Sequence, residues 1–69
     1  QASEYFPEEY EIEYRLAGLN LMLHETEKGK FHLSNALRLN FKNRMLLEHL
    51  FPVVWEMKLV QKAIEKHSK

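Results

Sequence analysis

The chain has 69 residues, ten basic and ten acidic side chains, no net charge at neutral pH and no cysteine. A chain of that length forms one small domain and buries only about 60 % of the surface its unfolded form exposes. The absence of thiols excludes disulfides and a thiolate zinc site as staples, so stability has to come from tight helix packing or from association.

Leu, Glu and Lys dominate, all ten acidic residues are Glu, and β-branched residues are rare; such side chains lose little rotamer freedom in a helix. An all-α fold of three helices follows, over about 7–28, 35–51 and 53–66. Pro7-Glu8-Glu9 starts the first, because Pro suits the first helical position and carboxylates complement the positive end of the helix dipole. Gly29 fits the residue just past its end, and Ser34 fits a cap for the second helix. That second helix is broadly apolar (Leu37, Leu39, Phe41, Met45, Leu46, Leu47, Leu50, Phe51) and reads as the centre of the core. Pro52 breaks or restarts the chain. In the third helix Val53, Met57, Val60 and Ile64 follow the 4-3-4 spacing of a packing seam.

Residues 9–16 conflict with this reading, since Glu-Tyr-Glu-Ile-Glu-Tyr-Arg-Leu alternates strictly, as a half-buried strand does. The alternative is an α+β fold with an N-terminal hairpin through Lys28-Gly29-Lys30, packed on C-terminal helices. As a helix, at about 100° per residue, the same segment carries two apolar stripes on opposite sides. One is Ile12, Leu16, Leu19 and Leu23; the other is Tyr10, Tyr14, Ala17 and Leu21. A helix apolar on two faces needs cover on both, and two further helices cover one. The spare stripe therefore points to a protein interface.

Charge is divided along the chain. Residues 1–27 hold seven Glu against Arg15, a net of −6, and residues 28–69 hold seven Lys and two Arg against three Glu, a net of +6. Complementary halves suit self-association or an oppositely charged partner. The expected function is a protein–protein interaction or oligomerisation module without catalytic activity. Its candidate partner-binding residues are Tyr10, Tyr14 and Leu21, because tyrosines bury area while keeping a polar tip wet, with Trp55 and Leu59 as a second patch. The alternative is a nucleic-acid-binding domain. There the row Lys58, Lys62, Lys66, joined by Arg38, Lys42, Arg44 and Lys69, meets phosphates and Trp55 stacks a base. A pI near 7 lacks the usual electrostatic footprint of such a domain.

Other chemistries have little to stand on. His24, Glu27 and His32 fall near one turn but match no zinc-ligand spacing. Besides tyrosine, the only hydroxyls are Ser3, Thr26, Ser34 and Ser68, none with a base at a telling distance. Two glycines make no phosphate loop. No enzyme activity, metal or cofactor is expected. No apolar run approaches the ~20 residues that span a bilayer and no basic-then-apolar leader pattern opens the chain; the absence of cysteine fits an intracellular setting, cytoplasmic or nuclear, which is the expectation. The string Met45-Leu46-Leu47-Glu48-His49-Leu50-Phe51-Pro52 resembles pieces of the peptide-binding domain at the C-terminus of poly(A)-binding proteins, which carries "MLLE" and "LFP" strings. The two strings are fused here and separate in that family, so the resemblance carries no site residue.

Overall fold

Residue 24 decides how the first half of the chain folds. His24 takes a left-handed backbone, with φ of 64°. Its N–H donates to the Leu21 carbonyl at 3.1 Å, and the N–H of Glu25 donates to Asn20 at 2.7 Å. This pair of backbone bonds is the Schellman closure of a helix end, a place where glycine is the usual residue and His is tolerated. The computed structural model describes residues 9–68, and in it helix α1 runs Glu9–Met22 and α2 runs Thr26–Leu39. Pro7 and Lys69 lie outside the described residues. Glu9 and Glu11 occupy the first turn of α1, where their charge meets the positive end of the dipole.

The all-α reading holds, and segment 9–22 is helix rather than strand. The boundaries expected for helices 1 and 2 do not hold. Gly29 sits in the first turn of α2, buried, where a Cβ would lie 2.5 Å from Leu21 Cγ. It permits a close crossing of two helices rather than a turn. Ser34 is inside α2 and caps nothing; its Oγ lies 3.4 Å from His67 Nε2.

The expected second helix is broken at Asn40. The Asn40 side-chain oxygen accepts the N–H of Asn43 at 3.2 Å, so a short polar side chain competes with the helical ladder. A single 3-10 turn, Phe41–Asn43, follows, and then α3, Met45–Leu50. Pro52 opens α4, Pro52–Trp55, at the first helical position, and α5 runs Lys58–His67 after an extended Met57. Three expected helices are thus five among the described residues.

Helices α1 and α2 form an antiparallel hairpin. α3 and α4 pack on α1, and α5 closes against α2 and α4. Tyr14, Ala17 and Leu21 of α1 meet Leu33, Ala36 and Leu37 of α2, Leu47 of α3, Val54 of α4 and Val60 of α5 in one buried core. The expected seam of the last helix survives in Met57, Val60 and Ile64. Val53 is exposed instead, and its neighbour Val54 turns inward, because α4 and α5 are separate helices. Gly18 is the second close approach, since a Cβ there would meet the Phe51 ring at 2.2 Å. Both glycines are needed for contact distance, at some cost in helix propensity.

Tyr14 is fully buried, and its hydroxyl donates to the Asn40 carbonyl at 2.9 Å. Burial pushes its pKa up to about 12, partly opposed by Arg44. The folded state thus holds the phenolic proton where the unfolded chain, with a pKa near 10, releases it. That contribution to stability is complete below about pH 10 and is lost as pH rises toward about 12. Tyr14→Phe should therefore cost about 1 kcal/mol at neutral pH through the lost hydrogen bond and lessen the alkaline loss, read as denaturation midpoints at neutral and alkaline pH. His24→Gly should raise stability by about 0.5–1 kcal/mol by relieving the left-handed strain, measured by urea unfolding.

Candidate protein-docking surface

The face of α1 opposite the core is apolar and open. Ile12 is 57 % and Leu19 50 % exposed, with Met22 beside them and Leu16 half-buried in the same stripe, and Leu23, in the turn just past α1, extends it at 70 %. This corrects the assignment of the tyrosine stripe to the interface. Tyr14 and Leu21 are core residues, and Tyr10 is half-buried against them. The Tyr10 ring stands edge-on to Tyr14 at 6.3 Å, and its hydroxyl accepts from Asn43 Nδ2 at 3.0 Å. The physical reason is the hydrogen bond. A phenol buried beside the broken end of α2 finds there the acceptor its own O–H needs, the Asn40 carbonyl, so the tyrosine side of α1 faces inward.

The flanks of α1 are fixed on both sides. Glu13 Oε1 lies 2.7 Å from His32 Nδ1 and within reach of Asn35 Nδ2 at 3.5 Å, tying α1 to α2. On the other side Gly18 lies against Phe51. Glu11 pairs with Arg15 at 3.8 Å on the surface, a contact worth little by itself. With both flanks engaged, the Ile12–Leu23 face is held pointing outward by the fold.

A second surface lies between α2 and α5. Lys30, Ser34, Leu59, Lys62, Ala63, Lys66 and His67 line a groove of about 420 Å³. Leu59, one of the expected partner-binding residues, is half-buried and forms part of its floor with Ala63; Trp55 is half-buried against the core. Lys58, Lys62 and Lys66 are exposed on α5, and the last two stand on the groove's rim. Arg44 does not join that row, since it lies over the Phe41 ring at 4.3 Å and donates to the Phe41 carbonyl. Among the described residues no ion pair involves Lys58, Lys62 or Lys66.

Lys30, Ser34 and His67 were not anticipated as a group. The signal was present in the four-residue spacing of Lys30 and Ser34, but it becomes visible only once α2 is known to begin at Thr26. His24, Glu27 and His32 are not brought together. His24 is in the turn, Glu27 pairs with Lys30 at 3.9 Å, and His32 pairs with Glu13. Among the described residues no helix is long and apolar enough to cross a membrane. No family model, curated protein or solved structure matches the chain.

The two α1 faces should answer differently to mutation. Leu19→Gln with Leu23→Gln should shift the unfolding free energy by less than about 1 kcal/mol, as surface changes do. Leu21→Ala should cost about 2–5 kcal/mol, enough to unfold much of a domain this small, read by circular dichroism during thermal melting.

Proposed function

We propose that this chain is a non-catalytic protein-binding module whose docking element is the outer face of α1. One observation carries the reading. Of two opposed apolar stripes, the tyrosine stripe is consumed by the core, and Ile12, Leu19 and Leu23 are left exposed with Leu16 half-buried among them. Contiguous exposed apolar area on a small protein marks an interaction site more often than chance. The spacing of the stripe is that of a helix laying one face against a partner. Tyr10, Tyr14 and Leu21 act one step removed, by holding α1 in the orientation that presents it.

The lysines on α5 support a second reading, nucleic-acid binding through Lys58, Lys62 and Lys66, because three exposed cations share one helix face. Two experiments separate the readings. Helical peptides selected by display against the domain should lose at least about tenfold in affinity for the Leu19→Gln/Leu23→Gln variant, as truncation of an interface anchor does; binders indifferent to that variant would contradict the α1 assignment. Labelled single- and double-stranded oligonucleotides should show no saturable anisotropy change at low salt. Binding with a steep salt dependence that Lys58→Gln, Lys62→Gln and Lys66→Gln flatten would move the function to α5.

A further inference from the structure

The chain carries two unused surfaces of opposite character, and they complement each other. The outer α1 stripe has Glu9 and Glu11 at its start and Glu25 and Glu27 just past its end. The α2–α5 groove has an apolar floor of Leu59 and Ala63 and a rim of Lys30, Lys62 and Lys66. We propose that the groove receives the outer α1 face of a second copy of this chain. This rests on the reading of α1 as a docking helix given above, and it names the partner.

Three observations lead there. The first is charge: the half of the sequence that holds α1 is net −6, and the half that holds most of the groove is net +6. The second is size. From Ile12 to Leu23 the stripe covers about 16 Å of helix, and from Leu59 to His67 the groove runs about 12 Å, at 1.5 Å per residue. The third is availability. The Glu27–Lys30 pair at the rim is long and its carboxylate is 92 % exposed, so an incoming carboxylate can replace it at little cost.

A chain cannot fill its own groove in this way. α1 packs on α2 through Gly29, His32 and Asn35 and on α3 and α4 through Gly18, with the stripe directed away from both. The contact is therefore between copies and joins unlike surfaces. Such heterologous contacts run head to tail, closing into a ring or growing as an open chain. Charge across the contact is solvent-accessible, so added salt weakens it.

Complementation between two variants tests this. Leu19→Gln/Leu23→Gln spoils the stripe without adding charge that an acidic groove would attract, and Lys62→Glu/Lys66→Glu spoils the groove; all four positions are exposed. By sedimentation equilibrium the wild-type chain should associate with rising concentration, each variant alone should be monomeric, and an equimolar mixture should stop at a 1:1 dimer. Should either variant melt below the wild type, Leu19→Ser/Leu23→Ser and Lys62→Ala/Lys66→Ala replace them, with a loss of association of at least about tenfold expected. Association of the groove variant at wild-type strength would overturn the proposal in favour of stripe-to-stripe pairing. A mixture that stays monomeric would overturn it too. A wild-type chain that stays monomeric while helical peptides bind its α1 face would overturn the second-copy assignment alone, leaving the docking reading intact; a monomer that no peptide binds would remove both.

Discussion

The hydrogen bond from Tyr14 to the Asn40 carbonyl is the constraint on which the rest of this fold depends. It joins residues 26 positions apart. It places a fully buried aromatic ring at the centre of the core, and it satisfies a backbone carbonyl at the point where α2 stops. That carbonyl also accepts the N–H of Asn43 at 3.3 Å, so the phenol is a second donor at the break between α2 and α3, and the larger need is its own: a buried O–H without an acceptor would cost more than a typical hydrogen bond returns. Because the phenol is attached to α1, this bond also fixes the rotation of α1 about its own axis. Everything on the opposite side of that helix is outward by consequence, including the stripe proposed to dock.

Close helix contacts then replace the bulk that a larger protein would use. Gly18 and Gly29 let Phe51 and Leu21 approach backbones at distances no side chain would allow. α1 is gripped from two directions, by α2 and by α3 with α4. Adding a methyl at either position gains helix propensity and loses packing, and in a well-filled core the packing term is usually larger. The Glu13–His32 and Glu13–Asn35 contacts set the register of the hairpin from its edge. A chain with few core residues can thus hold one helix firmly enough to present its far side as a surface.

Much of the helical character was legible in the residues themselves. The scarcity of β-branched side chains, Pro52 at a helix start, the acidic first turn of α1 and the Met57-Val60-Ile64 seam each act through local physics, and each appears in the fold. Three features were not legible, for three reasons. Both stripes of α1 have helical spacing, and the Ile12–Leu23 stripe is the more apolar of the two, so hydropathy and periodicity do not pick out the buried one; the choice is made by the phenol's need for a distant acceptor. Gly29 has the composition of a helix stop, but tertiary contact with Leu21 gives it another use, and His24 takes the left-handed position instead. Asn40 interrupts an apolar run through one side-chain bond to Asn43 that no hydropathy pattern records. The groove between α2 and α5 follows from those boundaries, and so became visible only with them.

The central claim is that α1 has one face locked in the core and the other covered, on concentration, by a second copy of the chain. Methyl relaxation by a soluble paramagnetic chelate, recorded over a dilution series, reads both faces in one experiment. When dilute, the chain should show strong broadening of the Ile12, Leu19 and Leu23 methyls and protection of Leu21, Leu33 and Leu47; on concentration, the first set should become shielded while the second is unchanged. Exposure of Leu21, or Leu19 and Leu23 methyls that stay equally exposed at every concentration, would contradict the account.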